Sequence, residues 1–320
     1  MRFTRLTRRE ALWQSAAALA APGLAGARPA RARETPPLPV VEVAPGVLVH
    51  QGAHQLASAG NLGNIANIGF VVGEKAVAVI DSGGSAAGGA RLRAAIRART
   101  GLPIRWVIAT HVHPDHLLGH AAFLADEPIF VGHARLPAAL AARGPHYLAR
   151  LEEDLGEAAA AGTEAVMPAL LVEGRLQIHL GGRMLSLEAH PTAHTDNDLT
   201  VFDSLSGILW LGDLLFMERC PVIDGSLLGW LDLLETLRRR AVAGVVPGHG
   251  PVAAPWPEAA DPQIAYLSAI RDGVRALLAR GGRVEEAVAE VAHEAAADWL
   301  LAEHYHPRNV TTAFAELEWE

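Results

Sequence analysis

The chain has 320 residues, of which 50% are hydrophobic and 19% charged, and its formal net charge is −8. This composition excludes a disordered chain, and the length allows one large domain or two ordinary ones. The single cysteine, Cys220, excludes an internal disulfide framework and a cysteine-rich zinc module. No apolar run reaches the ~20 residues that a membrane-spanning helix needs, so we expect no membrane span.

Residues 1–32 are predicted to be an export signal. They hold six arginines and one acid, and the pair Arg8-Arg9 precedes a weakly apolar Ala/Leu run. Small residues suited to signal cleavage end at Ala27 and at Ala32. The segment resembles a twin-arginine signal, which implies export to the periplasm, with a helical N-terminal arm as the alternative. The remaining residues carry 21 basic and 34 acidic side chains, a net charge of −13, which argues against nucleic-acid or anionic-membrane partners.

Strand and helix patterns alternate after a proline-rich linker, 33–44. Short apolar runs predict strands at 46–50, 68–72, 76–80, 104–109, 176–180, 184–188, 199–202, 208–211 and 244–246. Amphipathic patterns predict helices over 87–99, over 134–160 with a break near Gly144-Pro145, over 226–240, and in the tail from Asp261. We therefore predict a layered α/β fold, with the main domain over 45–255 and a helical extension of it over 256–320.

Four metal-ligand residue types follow the strand predicted at 104–109. They are His111, His113, Asp115 and His116, in the sequence THVHPDH. His111 and His113 project to one side if the chain is still extended there. Asp115 and His116 come from the turning chain and face a second point. The spacing therefore predicts two metal ions a few ångströms apart rather than one.

Three further residues of ligand type, His194, Asp213 and His249, each stand beside a predicted strand. We predict that all three lie at the carboxyl ends of apolar strands, the edge at which layered α/β folds build their sites. Glycine or threonine beside each of them suits a backbone that turns sharply or comes close to another.

These residues together resemble the metallo-β-lactamase superfamily, from about residue 45 to residue 255. HVHPDH corresponds to the superfamily motif HxHxDH, and Ala193 stands where a glycine usually precedes the third histidine. The resemblance implies a four-layer αβ/βα sandwich. It also implies the ligand sets: a first zinc ion on His111, His113 and His194, a second on Asp115, His116 and His249, Asp213 as the bridge, and Asp81 as a structural acid below the site.

Four segments also resemble a narrower group, the SoxH-related zinc metallohydrolases of quinoprotein relay systems. The segments begin at Asp213, Asp224, Val246 and Asn309. This resemblance implies an exported protein associated with a quinoprotein dehydrogenase pathway and acting on a small molecule.

The ligand set favours hydrolysis. Imidazole and carboxylate ligands without a thiolate suit Zn²⁺, here two ions per chain. Two ions bridge a hydroxide and lower the pKa of the bound water from 15.7 to about 7. We predict that this hydroxide attacks a small ester, thioester or lactone, with Asp115 orienting it and receiving its proton.

Three other functions stay open. A β-lactamase is disfavoured because the best-known class has a cysteine at the position of Asp213. A mononuclear iron persulfide dioxygenase keeps fewer ligands at its second site than this chain has. A non-catalytic, metal-dependent accessory protein of a quinoprotein dehydrogenase would use the same ligands as an enzyme.

Residues close to the motifs in sequence are candidates for contacts with the substrate. Arg219 is predicted to bind an anionic group of the substrate, with a surface ion pair as the alternative. His120 is predicted to lie at the rim of the site or behind its ligands. Cys220 is predicted to be a small buried residue rather than a ligand. The tail histidines, among them His306, are predicted to lie on the surface.

Overall fold

The computed structural model describes residues 35–320, so the predicted signal lies outside the described residues. Among them, a seven-stranded sheet follows chain order: β1 Val41–Ala44, β2 Val47–His50, β3 Ile68–Val72, β4 Val77–Ile80, β5 Ile104–Ile108, β6 Ile129–His133 and β7 Leu170–Val172. Strands β1 to β4 pair antiparallel, and β4 to β7 pair parallel.

A second sheet has five strands in the order β12-β11-β10-β9-β8: β8 Arg175–His179, β9 Met184–Ala189, β10 Leu199–Asp203, β11 Ile208–Phe216 and β12 Gly244–His249. β11 and β12 pair parallel, and the other neighbours pair antiparallel. Both sheets are therefore mixed.

The helices occupy the connections between strands and the C-terminal part of the chain. Two short 3₁₀ helices, Leu118–Asp126 and Glu258–Ala260, accompany them. The α-helices are α1 Ala86–Arg99, α2 Pro114–Leu117, α3 Leu136–Leu155, α4 Glu157–Ala160, α5 Leu227–Leu237, α6 Asp261–Leu278, α7 Val284–Glu290, α8 His293–Ala296 and α9 Ala302–Leu317. Within residues 35–320, no helix combines the length and apolar character that crossing a membrane requires.

Side-chain alternation along the strands builds the layers. In β4, Ala78 and Ile80 pack between the two sheets, whereas Val77 and Val79 pack outward among residues of α1. The outer face of the second sheet packs against α5, α6 and α9. Both faces of each sheet are thus covered, which explains why β4 is apolar at every position. The predicted four-layer α/β sandwich is confirmed.

Several element boundaries differ from the prediction. β1 lies inside the predicted linker 33–44; it is an edge strand of only four residues that follows closely on the prolines of that linker. The predicted break near Gly144-Pro145 is wrong, because α3 runs through Pro145 and ends at Leu155, before Gly156, whose φ of +79° favours glycine. β6 and β7 lie in stretches for which no strand was predicted.

Candidate metal centre

The predicted ligands converge at one edge of the two sheets. The segment 110–116 leaves β5 and turns into α2, and His249 is the last residue of β12. His194 lies in the loop between β9 and β10, and so follows β9 after a few residues rather than directly. Parallel neighbours β11 and β12 bring Asp213 and His249 to the same edge.

Asp213 lies inside a strand, whereas the sequence predicted it at the end of one. β11 continues beyond it to Phe216, and its register against β12 shifts on both sides of Gly212. Gly212 has a φ of +52°, and a side chain there would meet Thr110 Oγ1 at 2.7 Å. Glycine at this irregularity lets the strand pass the site and continue.

Two groups of ligand-type side chains form at this edge. The first consists of His111, His113, His194 and Asp213, and the second of Asp115, His116 and His249. In each group the ligand atoms lie within 4.8 Å of one another. The structure therefore brings together all seven residues predicted as metal ligands, in two clusters.

The carboxylate of Asp213 stands between the clusters. Its Oδ2 lies 3.5 Å from His111 Nε2 and 3.4 Å from His194 Nε2. Its Oδ1 lies 3.0 Å from His116 Nε2 and 3.5 Å from His249 Nε2. One oxygen faces each cluster, which is the arrangement that a bridging ligand needs.

The second ring nitrogen of each histidine has a partner that fixes its orientation. Nδ1 of His194 donates to Val222 O at 2.7 Å, and Nδ1 of His249 donates to Ile65 O at 2.8 Å. His113 is reversed: its Nε2 contacts Asp224 Oδ2 at 2.9 Å, which leaves Nδ1 facing the cluster. Such contacts select the nitrogen that remains free to bind a metal.

Asp81 orients the other two histidines of the site, His116 and His111. Its Oδ2 accepts from His116 Nδ1 and from the Thr110 hydroxyl, both at 2.8 Å. That hydroxyl in turn accepts from His111 Nδ1 at 3.0 Å. The backbone of Asp81 has a φ of +54°, an unusual conformation for a residue other than glycine. Asp81 thus contacts His116 directly and His111 through Thr110.

The donor set fits divalent cations. His111 Nε2, His116 Nε2 and Asp213 Oδ1 are buried and make no hydrogen bond within residues 35–320; the 3.0 Å approach of His116 Nε2 to Asp213 Oδ1 lacks hydrogen-bond geometry. Buried polar atoms without partners are costly, and a shared cation satisfies them together. Imidazole nitrogens with carboxylate oxygens are the ligands that zinc accepts in catalytic sites. Both clusters are consistent with a dinuclear site.

Burial and the buried carboxylates act in opposite directions on the pKa values of the imidazoles at the site. Burial lowers the pKa of His194 well below its ordinary value, which preserves the lone pair that a metal binds. Burial would raise the pKa of Asp213, but the charges of His116 and His249 hold it well below its usual range. Burial opposes protonation of His116 too, yet the Asp213 and Asp81 charges raise its pKa. That negative potential also attracts a cation.

The backbone of β12 packs directly against Asp213 at Gly248. A Cβ on Gly248 would lie 1.9 Å from Asp213 Oδ1 and 2.7 Å from the carbonyl carbon of Gly212. Only glycine therefore fits at position 248. The glycine noted beside His249 in the sequence serves the bridging residue of the neighbouring strand.

A cavity of about 640 Å³ opens over the clusters. Its wall includes four arginines and four aspartates, together with apolar and aromatic residues from the loops around the sheet edge. The charged lining residues are Arg143, Arg150, Arg219, Arg308, Asp115, Asp154, Asp213 and Asp224. This volume suits a small molecule.

Arg219 lines the cavity and is not a surface ion pair, because the residue is only 3% exposed. Its Nη2 donates to Tyr305 Oη at 2.7 Å. Its Nε has no hydrogen-bond partner among the described residues. Its Nη1 lies 3.4 Å from His249 Nδ1, but that nitrogen already donates to Ile65 O and cannot accept. The guanidinium thus keeps unused donors.

Three further residues discussed in the sequence analysis, His120, Cys220 and His306, are buried. His120 is buried beneath the site, contacts Ser82 Oγ at 2.6 Å and does not line the cavity, so the structure places it away from the rim. Cys220 is fully buried, and burial raises the pKa of its thiol to about 11. His306 is buried between Tyr266 and Val291, not on the surface as predicted.

Asp224 is a site residue that the sequence did not assign. It contacts His113 and also receives Arg143 and Arg308. Burial would raise its pKa, but the hydrogen bond from His113 and the charge of Arg143 hold it below its usual range. The sequence signal for Asp224 is limited to its position eleven residues after Asp213, at the start of a segment that resembles the narrower group.

The sequence profile of the metallo-β-lactamase superfamily matches residues 62–249, more than half of the chain. The chain belongs to this superfamily. Its two histidine and aspartate clusters are those of a metallohydrolase of the superfamily. No curated protein matches the chain.

Solved structures of other proteins share the fold. The metallo-β-lactamase from Pontibacter korlensis has 19% identity and a TM-score of 0.57, covering 72% of this chain and 99% of its own. The one from Hirschia baltica has 20% identity and a TM-score of 0.56, covering 72% and 98%. The inverting sec-alkylsulfatase from Pseudomonas sp. has 16% identity and a TM-score of 0.66, covering 88% of this chain and 50% of its own.

Proposed function

We propose that this protein is a dinuclear zinc hydrolase that cleaves a small ester, thioester or lactone. The observation that carries the proposal is the position of Asp213, with Oδ2 toward one cluster and Oδ1 toward the other. A carboxylate so placed is a ligand for two ions at once. A full second cluster argues against a mononuclear iron centre, which would leave Asp115, His116 and His249 without a purpose.

Zinc ions at these ligands would polarise the carbonyl of the substrate and acidify the attacking water. Side chains of the protein would orient the water and shape the cavity. Asp115 lines the cavity, with Oδ2 3.4 Å from His249 Nε2, and its carboxylate is placed to orient the water and accept its proton. Phe216 stacks on His249 with ring centroids 4.9 Å apart and gives this side of the cavity an apolar wall.

We further propose that the substrate carries a negative charge that binds Arg219. The other three arginines of the cavity already have acidic partners: Arg150 contacts Glu153 and Asp154, and Arg143 and Arg308 share Asp224. Arg219 has no such partner within residues 35–320. A buried guanidinium with free N–H groups is an anchor for a carboxylate or a similar anion.

Location and pathway are proposals that rest on the sequence alone. The Arg8-Arg9 motif supports twin-arginine export to the periplasm. The segments shared with SoxH-related proteins support an association with a quinoprotein dehydrogenase system.

The first experiment is elemental analysis of the protein isolated after native export, followed by assays with esters, thioesters and lactones in matched neutral and carboxylate-bearing pairs. We expect about two zinc ions per chain and faster turnover of the anionic member of each pair. One iron ion per chain would overturn the hydrolytic mechanism. Two zinc ions without turnover of any substrate would favour the accessory role.

Variants test the anion contact separately. Arg219→Met should raise KM for anionic substrates and leave KM for neutral ones unchanged, because only the charged group is lost. Arg150→Met is the matched control, since Arg150 lines the same cavity but is already paired. Equal effects of Arg219→Met on both members of a pair would contradict the assignment.

A further inference from the structure

Helix α9 lies outside the part of the chain that matches the superfamily profile, which ends at residue 249. One face of this helix nevertheless contacts the loop between β11 and α5, residues 217–226. Tyr305, Arg308 and Asn309 are spaced i, i+3 and i+4, so they project from the same side of the helix. They reach Arg219, Asp224 and the segment 221–223 in turn. Glu316 of the same helix accepts from Ser226 Oγ and Leu227 N, so the segments that begin at Asp224 and Asn309 meet in space.

Asn309 makes the most constrained of these contacts. The residue is fully buried. Its Oδ1 accepts from the Ile223 N–H at 2.9 Å, and its Nδ2 donates to Pro221 O at 2.6 Å. The amide thus holds the backbone on both sides of Val222. Its Nδ2 also lies 3.0 Å from the Tyr266 hydroxyl, which ties the amide to α6.

Val222 connects this contact to the metal centre. Its carbonyl accepts from His194 Nδ1 at 2.7 Å, which leaves His194 Nε2 facing Asp213. The Val222 carbonyl belongs to the same planar peptide group as the Ile223 N–H that Asn309 holds, and Pro221 O belongs to the peptide group before it. Asn309 holds one polar atom of each flanking residue, so its amide determines how the third histidine of the first cluster is oriented.

We propose that Asn309 is a positioning residue that sets the metal affinity of the first cluster through Val222 and His194. The second cluster provides an internal comparison. His116 is oriented by Asp81 and His249 by Ile65 O, and neither partner belongs to α9. Loss of the Asn309 amide should therefore weaken one cluster and spare the other. The proposal rests on the metal centre and not on the reaction, so it stands or fails independently of the hydrolase assignment.

The test is zinc titration of the full chain against a competing chromogenic chelator, in two backgrounds. His116→Ala leaves the first cluster intact, and His113→Ala leaves the second. We expect Asn309→Ala to weaken zinc binding about 10–100-fold in the His116→Ala background, the usual effect of losing a group that orients a ligand. In the His113→Ala background we expect less than a threefold change.

A matched control separates positioning from general loss of stability. His306→Gln removes another buried polar side chain of α9 that also contacts Tyr266 but does not touch residues 221–223. It should lower the melting temperature without changing zinc affinity in either background. Asn309→Asp is the second variant in case Asn309→Ala does not fold. It keeps the acceptor for Ile223 and loses the donor to Pro221, so it should give a smaller weakening of the first cluster. Equal weakening of both clusters, or unchanged affinity of the first, would overturn the proposal.

Discussion

Substitution of the buried His120 should change how stability depends on pH. The imidazole is 2% exposed, its Nε2 has no hydrogen-bond partner among the described residues, and its ring stacks on Phe130. Burial lowers the pKa of His120 from 6.5 to about 4, although the charge of Asp81 opposes this. The unfolded chain therefore binds a proton here between pH 6.5 and pH 4 that the folded chain does not.

The sign follows from that difference. A histidine whose pKa is lower in the folded state contributes stability that is present above pH 6.5 and is lost as the pH falls toward 4. At 1.36 kcal/mol per pKa unit, the loss is about 2 kcal/mol at pH 5 and about 3 kcal/mol at pH 4 and below. His120→Leu removes the titrating group at similar volume. Its free energy of unfolding should fall about 2 kcal/mol less than that of the wild type between pH 7.5 and pH 5.

Urea unfolding at both pH values measures this difference. The hydrogen bond lost to Ser82 costs about 1 kcal/mol, but at every pH, so it cancels when the two pH values are compared. His304→Gln, at an exposed position, should follow the wild type at both pH values. Parallel pH profiles for the wild type and His120→Leu would refute the reasoning, because they would mean that the buried site admits the protonated ring.

Four further predictions concern the metal centre, the thiol and export. Asp213→Ala should reduce bound metal from two ions toward one by elemental analysis, and retention of two tightly bound ions would exclude a bridging role. Asp224→Ala should weaken zinc binding by the first cluster about 10–100-fold in chelator titrations, because His113 loses its orienting partner; an unchanged affinity would show that Arg143 and Arg308 are the real partners of this carboxylate. Cys220 should resist an aromatic disulfide reagent in the folded protein and react once per chain in denaturant, since burial keeps its thiol protonated; labelling under native conditions would mean that the loop opens. Arg8→Lys with Arg9→Lys should retain the precursor in the cytoplasm by fractionation, and normal export would contradict the twin-arginine interpretation.

Ligand identities could be predicted because local sequence encodes them. In HVHPDH, the change from extended chain to helix sends neighbouring side chains to two different points, and α2 begins at Pro114 as this requires. The glycines beside Asp213 and His249 likewise reflect close backbone approach. For such residues, the spacing along the chain already contains most of the geometry.

Residues that act through the folded loop could not be predicted in the same way. The role of Asp224 depends on His113, more than a hundred residues earlier, and that of Asn309 on a backbone carbonyl that no side-chain pattern reveals. The edge strand β1 was missed because its four residues follow closely on the proline-rich stretch 36–39, which is typical of a linker. The break at Pro145 was predicted wrongly because tertiary packing holds α3 together across a residue that breaks isolated helices.

The position of Asp213 within β11 distinguishes it from His113 and His194, which lie in loops. Asp213 lies within β11 beside β12, with Gly248 packed against its Oδ1, whereas His113 and His194 depend on contacts from the loop 217–226, those of Asp224 and Val222. We therefore expect the Asp213 carboxylate to be less sensitive to changes in that loop than His113 and His194. Since α9 contacts the loop that orients His113 and His194, differences in this helix can change metal affinity while the bridge stays fixed. The superfamily core thus provides the common ligands, and a helix beyond the core adjusts how firmly two of them are held.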